Sequence, residues 1–319
     1  MDVRKIVNKL IDPHGRHIHK LRLSLLDACN FRCIYCMPKN PQFLPREKLM
    51  QRKEILRLSS TLVNFGIDEI RLTGGEPTLR IDFIDIVRDL SELKINKLGL
   101  TTNGLHLVNI LPELKKTKLK NINFSLDSLN KLGFETMTGS PHLEKVFESI
   151  FTAKELGFTV KLNVVLMKGI NDHEVSNFVD FSSNYGIEVR FLELMRIGEA
   201  RDVFEKRFIS AAEVIENLKG EFNLTPVKRP VDSTSFNYQT ENKGQVGFIA
   251  SESKPFCGGC SRLRLSADGQ LRPCLMKSEG TSLINKSKEE ILTILHQTMA
   301  LKPIDRIYDV SQPMNQIGG

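Results

Sequence analysis

The run Leu21-Arg22-Leu23-Ser24-Leu25-Leu26 alternates apolar and polar positions, the period of a strand with one buried face. It leads straight into Cys29, Cys33 and Cys36. After a turn-rich stretch holding Pro38, Pro41 and Pro45, the pattern becomes helical from about Glu47. There Ile55, Ser59, Leu62 and Phe65 approximate one face, and Gly66 supplies the stop. A strand over 67–73 follows and ends in the turn Gly74-Gly75-Glu76-Pro77. The alternation then repeats. A helix near 81–93 precedes a strand near 98–102, and a helix near 105–116 precedes a strand at 122–126. A helix carrying Leu143, Val146, Phe147, Ile150 and Phe151 ends at Gly157. Next come a strand over 160–167, a helix near 173–184 and a sixth strand over 188–195.

Six strands alternating with helices predict a parallel sheet. The unusual residues fall at the carboxyl ends of those strands: Cys29–Cys36, Gly74–Pro77, Thr101-Thr102-Asn103-Gly104, Ser125-Leu126-Asp127 and Glu193–Met195. Curled βα sheets build their sites on that rim. The fold class expected is therefore α/β, a partial (βα)6 TIM-like barrel. Beyond Ala200 the rhythm changes. Helical runs at 213–218 and 289–299 flank β-like pieces at 236–239 and 245–249, and 262–266 and 270–275 read as a hairpin across Ala267-Asp268-Gly269. These make a smaller C-terminal α+β module closing the barrel mouth, with boundaries at 1–200 and 201–319.

Composition narrows the class without naming a chemistry. Hydrophobic residues are 40% and charged ones 26% of 319 residues, enough to bury a core. No apolar run approaches the roughly 20 residues a membrane helix needs. The N-terminal stretch is broken by charges and Pro13, unlike a signal peptide, so a cytoplasmic protein is expected. The net charge of +7 and pI near 9.0 attract polyanions, either nucleic acid or a phosphorylated small molecule. Tryptophan is absent and aromatics are 7%, which leaves little material for stacking a single strand.

The six cysteines fall as two triplets, Cys29, Cys33, Cys36 and Cys257, Cys260, Cys274. Three thiols within eight residues cannot all pair among themselves, so metal ligation is the better use. A [4Fe–4S] cube needs four ligands, and three thiolates leave one iron open to a small molecule. Zinc would want a fourth protein ligand or an open catalytic position. The second triplet admits either a cube or a structural zinc with a histidine, although no histidine is spaced to join it. Between its cysteines, Arg262 and Arg264 would share one strand face as a clamp for phosphate or purine, unless they are a solvated basic edge. His14, His17 and His19 read as surface rather than a metal site.

The first loop resembles the radical S-adenosylmethionine (SAM) superfamily, whose signature is C-x3-C-x2-C with an aromatic, here Tyr35, before the last cysteine. There SAM chelates the open iron, and one electron cleaves the sulfonium to a 5′-deoxyadenosyl radical. Both triplets, GGEP, LTTNG, SLD, the x13 spacing and the terminal Gly-Gly together resemble the GTP 3′,8-cyclase family of molybdenum cofactor biosynthesis, from about Gly15 to the end. Ala28 stands where that family usually carries arginine. The resemblance implies a lyase with two [4Fe–4S] clusters, ligated by Cys29, Cys33, Cys36 and by Cys257, Cys260, Cys274. It implies SAM contacts at Tyr35, Gly75, Ser125 and Met195. GTP contacts are implied at Arg22, Arg71, Thr101, Lys161, Arg262, Leu263 and Arg264, and a catalytic tail at Gly318 and Gly319. GTP would be the substrate, flavodoxin or ferredoxin the electron donor, and cyclic pyranopterin monophosphate synthase the next enzyme. A homodimer is compatible with the family, whereas nucleic-acid and membrane partners are not expected. Two other readings stay open: a radical SAM peptide maturase with an auxiliary cube, and a basic zinc or iron–sulfur RNA-binding protein.

Overall fold

Six parallel strands form in sequence order, each within a few residues of the alternation that predicts it. They are β1 (Lys20–Ser24), β2 (Glu69–Thr73), β3 (Lys97–Thr102), β4 (Leu119–Ser125), β5 (Thr159–Leu166) and β6 (Glu188–Glu193). A computed structural model describes residues 9–307 and 312–317. The connecting helices are α1 (Arg52–Asn64), α2 (Phe83–Ser91), α3 (Leu111–Lys115), α4 (Lys131–Thr138), α5 (Leu143–Glu155) and α6 (Val175–Tyr185). Two departures have local causes. The helix expected from Glu47 starts at Arg52, because Pro45 opens a separate 3-10 turn and the Met50 amide bonds to the Ala267 carbonyl at 2.8 Å. The helix expected over 105–116 is a 3-10 turn followed by the short α3, whose second residue is Pro112.

The C-terminal residues add α7 (Phe204–Arg207), α8 (Ala211–Lys219), β7 (Thr225–Val227), β8 (Phe236–Gln239), β9 (Gln245–Ile249), β10 (Arg262–Leu265), β11 (Gln270–Arg272), β12 (Thr281–Ser282) and α9 (Lys288–Ala300). Their strands extend the sheet at both edges. The order is β12-β11-β10-β1-β2-β3-β4-β5-β6-β9-β8-β7, and both β10 on β1 and β9 on β6 are parallel. The ladder is not closed into a ring. The expected hairpin is β10 against β11, with Arg264 opposite Arg272.

Alternation sorts the two faces. Leu21, Leu23, Ile70, Leu72, Ile122 and Phe124 are buried in the main core. The opposite face carries Arg22, Arg71, Asn123, Asn163, Arg190 and Arg264. Register aligns Arg22 with Arg71 on one side and Arg264 on the other, so three guanidinium side chains lie abreast on adjacent strands. Among the described residues, no helix is long and apolar enough to cross a membrane.

Candidate active site

All six cysteines line one cavity of about 360 Å³ at the carboxyl ends of the strands. The first three follow β1 in a loop held from two sides. On one side, the Arg32 and Ile34 amides donate to the Thr138 and Met137 carbonyls at 2.8 and 3.1 Å, in the last turn of α4. On the other, the Gly75 and Glu76 amides donate to the Leu26 and Ala28 carbonyls, both at 2.8 Å. Glycine is required there. A Cβ on Gly75 would stand 2.2 Å from the Ala28 oxygen, and one on Gly74, whose φ is +150°, 2.3 Å from the Leu26 oxygen. The close backbone approach these glycines permit is to the cysteine loop itself. Gly75→Ala should cost about 1–3 kcal/mol, the usual range for overpacking. Its denaturant midpoint should fall, while Gly258→Ala, where a Cβ meets nothing within 4 Å, should leave it unchanged.

Glu76 ties the neighbouring strand ends together. Its buried carboxylate accepts from the Thr78 amide and hydroxyl, the Thr102 hydroxyl and the Asn103 amide, the last at 2.7 Å. Burial raises its pKa, against those hydrogen bonds. Asn103 Nδ2 in turn donates to Asn30 Oδ1 at 2.7 Å and lies 3.8 Å from Cys29 Sγ. Asp127 has the matching role on β4's loop. Tyr35 donates its hydroxyl to Asp127 at 2.8 Å and the Val165 amide to the other carboxylate oxygen at 2.8 Å, and burial pushes Asp127 up to about 6.

Burial raises the thiols of the first triplet and Cys257 of the second, whereas Cys260 is lowered. Burial raises Cys29 to about 11 and Cys36 to about 12, and Cys33 well above its ordinary value. Burial also acts on Cys260, but Arg262 and Lys302 outweigh it and bring that thiol down to about 6. The Arg262 guanidinium lies 3.4 Å from Cys260 Sγ and stacks over Phe256 at 4.9 Å. No histidine among the described residues lines the cavity. Among the described residues, no three His, Cys, Asp or Glu side chains converge as they would around a single ion.

A second cavity, also about 360 Å³, lies toward the amino ends of the strands and shares Arg22, Asn123, Arg190, Thr234 and Arg262 with the first. Its walls hold Lys20, Arg71, Lys97 and Arg229 as well. Burial and the charges of neighbouring cations depress three of them, Arg22, Arg71 and Lys97. Arg22 falls well below its ordinary value under burial and the charges of Arg71, Arg264, Arg262 and Arg190, and Arg71 falls to about 10. Such a concentration of positive charge favours a polyanion. Within the first cavity, Thr73 Oγ1, Thr101 Oγ1, Asn163 Oδ1 and Asn315 Oδ1 are buried polar atoms with no hydrogen-bond partner among the described residues. Buried polar groups in proteins are seldom left so, and here they cluster beside the cysteines.

Tyr35, Gly75, Thr101, Ser125 and Met195 all line the first cavity, with Arg22, Arg262 and Arg264. Arg71 lines the second, its guanidinium donating to the Leu100 carbonyl at 3.0 Å. Lys161 lines neither. It is paired with Glu188, which also accepts from Arg190 at 2.6 Å, and desolvation lowers it to about 8. Leu263 has its side chain in the hydrophobic core, 0% exposed. Gly318 and Gly319 lie outside the described residues, but Met314 and Asn315 just before them line the first cavity. Sequence reasoning gave no role to Arg190, Asn163, Glu76 or Lys302. For Arg190 and Asn163 the signal was available, because each is a polar residue at an inward position of a strand.

Residues 23–182 match the sequence model of the Radical SAM superfamily, and residues 187–306 that of Molybdenum Cofactor Synthesis C. A GTP 3′,8-cyclase of Synechocystis sp. is 44% identical over 97% of this chain and 95% of its own. One from Clostridium botulinum is 38% identical over 93% and 94%. This chain belongs to the GTP 3′,8-cyclase family of the radical SAM superfamily. Superfamily membership brings with it SAM and a [4Fe–4S] cluster, and the paired cyclase-family regions place the chain among radical SAM enzymes of molybdenum cofactor biosynthesis. The fold agrees. Streptococcus suis SuiB bound to S-adenosylmethionine superposes with a TM-score of 0.64 at 14% identity, covering 90% of this chain and 69% of that one.

Proposed function

We propose that this cyclase-family chain converts GTP to (8S)-3′,8-cyclo-7,8-dihydroguanosine 5′-triphosphate, using SAM and two [4Fe–4S] clusters. The observation that supports it most is the meeting of both cysteine triplets in one cavity that runs on into a cation-lined chamber. Soft thiolates, three per loop, suit cubes with one open iron. The unpartnered Thr73, Thr101, Asn163 and Asn315 atoms offer hydrogen bonds to what lies between them. When bound to the first cluster, SAM supplies a carbon radical able to abstract hydrogen from the ribose.

The chain's own residues then have separable tasks. Cys29, Cys33 and Cys36 would hold the first cluster, with Glu76 and Asn103 fixing the strand ends around Cys29. Tyr35, Gly75, Ser125 and Met195 would contact SAM, and Asp127 fixes the Tyr35 ring through its hydroxyl. Cys257, Cys260 and Cys274 would hold the second cluster, and the guanine end of GTP would lie against it. Arg22, Arg71, Arg190, Arg262 and Arg264 would neutralise the triphosphate by charge-assisted hydrogen bonds. Thr101 would contact the substrate, as would Leu263 through its backbone. Lys161 would do so once freed from Glu188. Gly318 and Gly319, without side chains, would thread the remaining space and act on the substrate. Residues 1–200 would thus carry SAM and 201–319 the second cluster and tail. A flavodoxin or ferredoxin would deliver the electron, cyclic pyranopterin monophosphate synthase would take the product, and a homodimer is compatible with this reading.

The test is anaerobic reconstitution followed by SAM, dithionite and GTP. About eight irons per chain and a cyclised GTP product are expected. A chain lacking Gly318-Gly319 should keep its irons and its GTP affinity yet fail to cyclise. An iron-loaded chain that cleaves SAM and leaves GTP unchanged would overturn the substrate assignment. Normal turnover without the tail would make those glycines a frayed end.

A further inference from the structure

Lys302 is a buried lysine without a buried carboxylate. It follows α9, is 3% exposed, and its ammonium donates to the Arg262 carbonyl at 2.7 Å and the Pro273 carbonyl at 3.0 Å. Its third neighbour is Cys260 Sγ at 3.5 Å. Among the described residues no Asp or Glu pairs with it, and the one acidic side chain within its reach is the Cys260 thiol. Carbonyls satisfy its hydrogens but not its charge, and an uncompensated buried charge is costly.

The surrounding cations sharpen the contrast. Arg16 reaches the same loop, donating to the Cys257 carbonyl at 2.7 Å and the Pro303 carbonyl at 2.8 Å, but Asp12 neutralises it at 2.6 Å. Arg262 touches Cys260 too, yet lines both cavities and is available to substrate. Lys302 lines neither. Its three contacts bracket the loop from Cys260 to the residue before Cys274, so its charge stays with the triplet whatever fills the cavities.

We propose that Lys302 is the resident counter-cation of the second cysteine triplet, the fixed positive charge against which the anionic second cluster is held and its redox balance set. This rests on the second-cluster assignment above. Net charge and hydrogen bonds to sulfur are among the determinants of cluster potential. A neighbouring cation stabilises the more negative, reduced state. Lys302 is a positioning residue in this role, not one that touches the reacting atoms.

The full chain, reconstituted anaerobically, would be compared with Lys302→Gln, which keeps a donor and loses the charge, and Lys302→Arg, which keeps the charge. Iron per chain and a redox titration followed by electron paramagnetic resonance are the readouts, with the first cluster as internal standard. For Lys302→Gln we expect the second cluster to be about tenfold harder to reduce, about 59 mV more negative for one electron, or lost altogether. The first cluster should not move, and Lys302→Arg should stay near the parent. An unmoved or more positive second midpoint in Lys302→Gln overturns the proposal. So does a shift or cluster loss shared equally by Gln and Arg, which would mark a packing role. A parent chain holding only about four irons removes the second cluster itself, and the counter-cation with it; the parent's own iron count thus separates the two failures.

Discussion

Replacing Cys29, Cys33 or Cys36 with alanine should abolish formation of 5′-deoxyadenosine from SAM, whichever of the three is changed. The loop offers three thiolates and no spare, since no histidine among the described residues lines the cavity and the nearby carboxylates of Glu76 and Asp127 are committed to amides and hydroxyls. Cys260 of the second triplet is itself held by Arg262 and Lys302. Burial keeps these thiols protonated when metal-free, so loading releases protons and should improve as pH rises. Alanine at Cys257, Cys260 or Cys274 should act differently, leaving SAM cleavage in place and removing conversion of GTP. Chromatography for 5′-deoxyadenosine, beside an iron count, reads both sets. Persistent 5′-deoxyadenosine in a first-triplet variant would sink the assignment of that cluster, and a second-triplet variant that binds zinc and still cyclises GTP would sink the other.

What the sequence made visible was whatever repeats locally. Period-two alternation in Leu21–Leu25 or in β5 declares both a strand and its inward face, and the rim position of GGEP, TTNG and SLD follows from counting to the strand's end. Pairings between residues far apart left no such trace. Arg22 lies beside Arg264 because β10 joins β1 in parallel across some 240 positions, and nothing near either residue announces it. The short α4 was hidden for another reason. Gly133 interrupts its helical signal, and the helix forms with Asn130 capping the Gly133 amide at 2.7 Å. Yet α4 supplies the carbonyls that grip the cysteine loop. Lys302 is the plainest case: a lone lysine reads as surface, and only the meeting of α9, β10 and the Cys274 loop buries it.

Arg22→Met should stabilise the fold and weaken GTP binding together. The Arg22 guanidinium sits between Arg71 and Arg264 in register, and the charges of Arg262 and Arg190 add to theirs. Among the described residues it has no hydrogen-bond or ion-pair partner of its own. Two like charges about 5 Å apart repel by about 3 kcal/mol at an effective dielectric of 20, and solvent in the chamber screens part of that. Relief of even about 1 kcal/mol should raise the melting temperature by about 2 °C in a chain of this size. The triphosphate would feel the opposite. A charge-assisted hydrogen bond contributes about 1.5–3 kcal/mol, so its loss should weaken GTP roughly ten- to a hundredfold. Guanosine, which lacks the phosphates, should bind the variant and the parent alike. Calorimetric titration with both ligands, next to a thermal melt, separates the outcomes. A chain that melts lower and binds GTP as before would make Arg22 a structural residue. One that loses GTP and guanosine equally would move Arg22 from the phosphates to the base.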